Sequence, residues 1–148
     1  MEVTWLPSYG PEMRGGVANC SVVVGKKAIG SPAVENPNVL VALNRPSLEK
    51  FGPTVPEDGL IIYNSSLIEQ IPDNLKAKTF ALPATDLAST AGNVKAANVV
   101  VLGYIAQKTG MFGLSDLETF LAETFKNPAM LELNMKAVQA GWRAAEQA

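Results

Sequence analysis

Short apolar runs in the middle of the chain set the fold. Residues 38–43 read NVLVAL and residues 59–63 read GLIIY. Each is too short for an ordinary helix and too continuously apolar for a strand with one wet face, so each suits a strand covered on both sides. Residues 78–82 (KTFAL) form a third candidate, ending at Pro83. The connections carry helix-start and turn signals. Asn44 and Arg45 lead into Pro46, which opens a short helix through Phe51, and Pro53 and Pro56 mark a linker. Short buried strands separated by helical or looped crossovers predict a parallel α/β sheet.

Two further strands precede these. Val3, Trp5 and Leu6 mark the first. In residues 19–24, Cys20, Val22 and Val24 alternate with Ser21 and Val23. Between them, residues 10–16 read as a loop, because two glycines and a proline break both regular periods. Lys26 and Lys27 sit in a polar turn, and residues 29–32 (IGSP) are predicted as a short edge strand. The remainder reads as helix. Residues 86–91 predict a short helical turn, and residues 93–108 are apolar nearly all round, as in a helix packed on several sides. Ser115 and Glu118 fit a capping box opening a helix to about Phe125. Asn127 before Pro128 predicts another start, with Leu131, Met135, Val138 and Trp142 on one face. No internal repeat or boundary divides residues 1–148, which are expected to form one domain.

Composition excludes several function classes. The 148 residues are 47% hydrophobic, enough to bury one core without staples. A net charge of −2 without a Lys/Arg cluster argues against nucleic-acid binding. The longest apolar stretch, near residues 96–106, is too short to span a bilayer and contains Asn98. The first residues show no basic region followed by an apolar stretch, so a cytoplasmic location is expected. The single cysteine, Cys20, cannot form an intramolecular disulfide or supply the four thiolates of an iron–sulfur cluster, and its expected state is a buried structural thiol. Histidine, the commonest general base, is absent. No catalytic residue is assigned, and any redox cofactor must sit mainly on another chain. The charged fraction of 18% is low, which suits surface buried against partner chains.

The candidate functional residues cluster at strand ends. Residues 9–16 (YGPEMRGG) combine a rigid entry, two opposite charges and a glycine pair that lets backbone approach a ligand or chain closely. Arg14 offers a planar fork for carboxylate or phosphate, and Glu12 can orient it. Tyr9, Gly10, Glu12, Arg14, Gly15, Gly16 and Asn19 are therefore the interface or cofactor-adjacent candidates. The bland alternative is a tight turn with an internal ion pair. Ser65 and Ser66 can meet a ligand or cap the next helix, and capping is the stronger reading. Asn98 reads as a hydrogen-bonded core amide or a ligand contact. No phosphate-binding glycine loop, nucleophile elbow or metal-ligand spacing is present.

Residues 4–24, TWLPSYGPEMRGGVANCSVVV, closely resemble the gamma subunit of 2-oxoacid:acceptor oxidoreductases, the counterpart of the gamma domain of pyruvate:ferredoxin oxidoreductase. The likeness continues through residues 29–32, 38–44 and 98–103. It implies a Rossmann-like, three-layer α/β domain with a mostly parallel sheet and a helical C-terminal half. It implies CoA-dependent oxidative decarboxylation of a 2-oxoacid by the complex, with the YGPEMRGG wording leaning toward 2-oxoglutarate or a general 2-oxoacid. Partners implied are alpha and beta subunits, or alpha, beta and delta subunits, with ferredoxin as acceptor. Thiamine diphosphate, Mg²⁺, coenzyme A and iron–sulfur clusters belong to the complex, none bound wholly by this chain. The family pattern normally opens with a strand, a GxGGQG turn and a helix. That unit has no counterpart before Thr4, so the domain is expected to be N-terminally truncated relative to the family. Two other readings remain open: a stand-alone α/β module for a phosphorylated small molecule, and an indolepyruvate oxidoreductase beta subunit.

Overall fold

The computed structural model describes residues 1–9 and 17–148. The chain divides into two compact units, Met1–Ile61 with Ile71–Thr79, and Ile62–Gln70 with Phe80–Ala148.

The first unit opens with β1 (Glu2–Ser8) and β2 (Asn19–Gly25), an antiparallel two-stranded ribbon. Trp5 lies opposite Val22 and Val3 opposite Val24. Directly opposed residues share a face, and on this face Val3, Trp5 and Val22 are 60%, 66% and 55% exposed. The alternation predicted for residues 19–24 is present, but its burial is inverted at Cys20. Cys20 is exposed with Val22, while Ser21 and Val23 are half-buried on the other face. Residues 29–32 form no strand. Gly30 and Pro32 explain why: a glycine weakens a strand and a proline cannot donate to a ladder.

Downstream, β3 (Val39–Ala42), β4 (Leu60–Asn64) and β5 (Lys78–Leu82) lie in the order β3–β4–β5. The Leu60 N–H donates to the Asn38 carbonyl at 2.8 Å, joining strand starts, and the Ser65 N–H donates to the Leu82 carbonyl at 2.9 Å, joining strand ends. The strands are therefore parallel, and the fold is α/β, as their apolar runs predict. Asn44 caps α1 (Arg45–Phe51), its Oδ1 accepting the Ser47 N–H at 3.0 Å.

The second unit carries α2 (Ala84–Ala91), α3 (Ala97–Thr109), α4 (Leu114–Thr124) and α5 (Pro128–Glu146). The helix predicted over residues 86–91 thus starts two residues earlier. Residues 93–108 divide into a short 3-10 turn, Val94–Ala96, and α3, which buries Val99, Val100, Val101, Gly103, Tyr104 and Ala106. Gly110, at φ 64°, ends α3 in the left-handed region that favours glycine.

Two predicted details are corrected. The cap of α4 is Gly113, not Ser115: the Gly113 N–H donates to Asp116 Oδ2 at 2.9 Å. Glu118 instead accepts a 2.7 Å hydrogen bond from Gln139 Nε2 of α5. The buried stripe of α5 is Asn134, Ala137, Val138, Gly141 and Ala145, while Leu131, Met135 and Trp142 are only half-buried. Small residues own the stripe because α3 approaches there at backbone distance. A Cβ on Gly141 would meet the Val100 carbonyl oxygen, and one on Gly103 would meet the Val138 carbonyl oxygen.

The predicted start of α5 holds. Asn127 Oδ1 accepts from the Ala129 and Met130 N–H groups at 3.0 and 3.2 Å. Asn127→Ala should lower unfolding stability by about 1 kcal/mol, the usual value of such a cap. Urea denaturation reads this; an unchanged midpoint would show that water replaces the cap without loss.

Candidate functional site

Three places hold the residues singled out in the sequence. The first is one end of the β1–β2 ribbon. Asn19 pairs with Ser8 across the ladder, and Tyr9 follows directly, 67% exposed. Tyr9 and Asn19 therefore flank the same end. Gly10, Glu12, Arg14, Gly15 and Gly16 lie outside the described residues.

The second place is the carboxyl end of β4 and β5, where α/β folds commonly bind ligands. A residue that the sequence reading passed over organises it. Asn64 is 4% exposed. Its Oδ1 accepts from the Ala84 N–H at 3.1 Å and the Ser66 N–H at 3.3 Å, and its Nδ2 donates to Thr85 Oγ1 at 2.9 Å. Ser66 Oγ accepts the Asp86 N–H at 3.1 Å. Helix starts leave their first N–H groups without intrahelical partners. Asn64 and Ser66 satisfy two of these for α2, so Ser66 performs the capping role expected of it. Ser65 is half-buried, its N–H tied to Leu82. An asparagine closing an apolar strand was the available signal for Asn64.

The third place is the first turn of α3. Asn98 is exposed there, not a buried core amide. It lines a small cavity with Asn93, Val99, Phe125 and Asn134. The reason is position: Asn98 falls between the buried Ala96 and Val99 on the outward side of the turn. Ser66 caps the start of α2, whereas Asn93 follows its end, so the fold does not bring Ser66 and Asn98 together.

The electrostatics are mild. A hydrogen bond from Lys136, and its charge, hold the Glu132 carboxyl below its ordinary value, and burial pushes the Tyr104 phenol up. Among the described residues no three His, Cys, Asp or Glu side chains converge to hold a metal ion. With one cysteine in the sequence, the donor set does not fit an iron–sulfur cluster. No helix among the described residues is long and apolar enough to cross a membrane.

Comparison with known proteins decides the family. The pattern described as pyruvate ferredoxin/flavodoxin oxidoreductase matches residues 1–144. The chain belongs to the pyruvate ferredoxin/flavodoxin oxidoreductase family. It is similar to the ketoisovalerate oxidoreductase subunit VorA of Methanothermobacter thermautotrophicus, 39% identical over 93% of this chain but only 29% of that protein. It is also similar to the 2-oxoglutarate synthase subunit KorC of the same organism, 31% identical over 90% of this chain and 74% of that protein. The crystal structure of the keto/oxoacid ferredoxin oxidoreductase gamma subunit of Geobacter sulfurreducens superposes with a TM-score of 0.82 at 28% identity, covering 99% of this chain and 82% of that one. The family expected from residues 4–24 is thus the family found, and this chain spans under a third of its VorA relative.

Proposed function

We propose that this chain serves as the gamma component of a multi-subunit 2-oxoacid:ferredoxin oxidoreductase, which converts a 2-oxoacid and coenzyme A to acyl-CoA and carbon dioxide. The observation that carries the reading is the likeness to a gamma subunit along 99% of this chain and 82% of that one. The missing histidine and the lone cysteine support a supporting role, since thiamine diphosphate, Mg²⁺ and iron–sulfur clusters then belong to alpha, beta or delta partners. The test is reconstitution. Co-expression with alpha and beta partners should give a complex that reduces ferredoxin with a 2-oxoacid and coenzyme A, while the isolated chain should do neither. Decarboxylation by the isolated chain, or failure to associate, would overturn the reading.

Within that role, the segment from Tyr9 to Gly16, with Asn19 at its far side, closes the coenzyme- and thiamine-bearing site. Arg14 supplies a phosphate or carboxylate contact and Glu12 orients it. Charge-assisted hydrogen bonds from arginine are the strong class, about 1.5–3 kcal/mol each. Arg14→Ala should therefore raise the KM for coenzyme A about ten- to a hundredfold in the reconstituted complex, with the assembly intact by size-exclusion chromatography. An unchanged KM would remove Arg14 from the site.

A further inference from the structure

The Arg143 guanidinium, on α5, makes no hydrogen bond or ion pair with any described residue. Lys136 precedes it on the same helix face, two turns away and about 10 Å along the axis. Lys136 carries an exposed ion pair with Glu132 at 2.7 Å, a class of contact that contributes little and leaves the ammonium open to a second anion.

Both cations line a groove of about 390 Å³ between α2 and α5. Its floor is apolar: Leu87 and Ala91 from α2, Ala140 and Ala144 from α5, all half-buried. Two neutral polar side chains, Thr90 and Gln147, complete the lining. The Thr90 hydroxyl donates to the Asp86 carbonyl at 3.1 Å. No acidic side chain lines the groove. The acids nearest to Lys136 and Arg143 along α5 are engaged, Glu132 with Lys136 and Glu146 with Trp142 Nε1 at 3.0 Å. The groove thus has two positive ends and an apolar middle, in a chain whose net charge is −2. Its volume falls in the range of small-molecule sites, about 300–1,000 Å³. An arginine fork takes a carboxylate through two parallel hydrogen bonds, and a lysine takes one as a point charge.

We propose that this groove binds a small organic dianion, its apolar body over the alanine floor and one carboxylate-type group at each of Arg143 and Lys136. The proposal rests on no part of the gamma-subunit reading, and none of the groove residues belongs to the ribbon end or to the strand ends.

Naphthalene-2,6-dicarboxylate and 2-naphthoate share the apolar body and differ by the second carboxylate, so they test the idea on the unaltered chain. Titrated into the full 148-residue protein and followed by backbone amide shifts, the dicarboxylate should perturb Ala91, Ala140 and Ala144. It should bind about fivefold tighter than 2-naphthoate, the upper value of one exposed ion pair. Raising the salt concentration should shrink that gap. Arg143→Gln and Lys136→Gln should each abolish it, because either leaves a single cation; both side chains are exposed, so the fold should be kept, as thermal unfolding would verify. Equal binding of the two compounds to the unaltered protein would overturn the proposal. So would a gap that survives both substitutions, shifts confined to other residues, or none at millimolar dicarboxylate.

Discussion

Gly141→Ala should destabilise the protein by about 2–4 kcal/mol, although the same change in an open helix gains about 1 kcal/mol. The reason is the crossing of α3 and α5. An added Cβ at Gly141 would collide with the Val100 carbonyl oxygen, lie 2.7 Å from the Val100 carbonyl carbon and 3.1 Å from the Tyr104 nitrogen. All three are backbone atoms of α3, so no rotamer change relieves the clash and the helices must separate. Separation also loosens the contacts of Val100 and Val138, both fully buried. Gly103 makes the reciprocal approach, where a Cβ would lie 3.0 Å from the Val138 carbonyl carbon as well as against its oxygen. Gly103→Ala should cost a similar amount. The double substitution should cost at least about 1 kcal/mol less than the sum, because one separation accommodates both methyls. Gly30→Ala is the control: nothing lies within 4 Å of its Cβ, so the change should stay within about 0.5 kcal/mol. Urea unfolding of the four variants reads all of this. If Gly141→Ala proves as mild as Gly30→Ala, the close crossing is wrong.

The glycine crossing also shows where sequence pattern stops. The strands β3, β4 and β5 were legible because continuous apolar runs need no partner to be recognised. The start of α5 was legible because Asn127 and Pro128 act on their own backbone. The buried stripe of α5 was not, since hydrophobic periodicity points to Leu131 and Trp142, while the fold buries the positions that allow helices to touch. Cys20 failed for a related reason. Alternation assigns residues to two faces of a ribbon but does not say which face meets the body, and here the valine and cysteine side is the outer one. The family was legible from residues 4–24, because that segment is long and unusual. Asn64 was not, because two of the residues that give it its role come 20 and 21 positions later, at Ala84 and Thr85.

Asn64 is the second position where a large effect is expected. Asn64→Leu keeps the branching of the side chain but withdraws the acceptor from the Ala84 N–H and the Ser66 N–H and the donor from Thr85. Ala84 is fully buried, so water cannot replace its lost partner. An orphaned buried group costs about 1–3 kcal/mol, and with the Ser66 N–H also affected the loss should reach about 3–4 kcal/mol. The damage should be local as well as global. Hydrogen exchange at Ala84 and Asp86 should accelerate ahead of exchange in α3, because α2 loses the bond that fixes its first turn to the end of β4. Asn64→Asp separates the roles. Its oxygens keep both N–H partners, the Thr85 hydroxyl can turn to donate, and a negative charge at the start of α2 is favourable. It should therefore cost less than half as much as Asn64→Leu at neutral pH. Equal losses would mean that the donor to Thr85, not the acceptor to α2, holds the strand end and the helix start together.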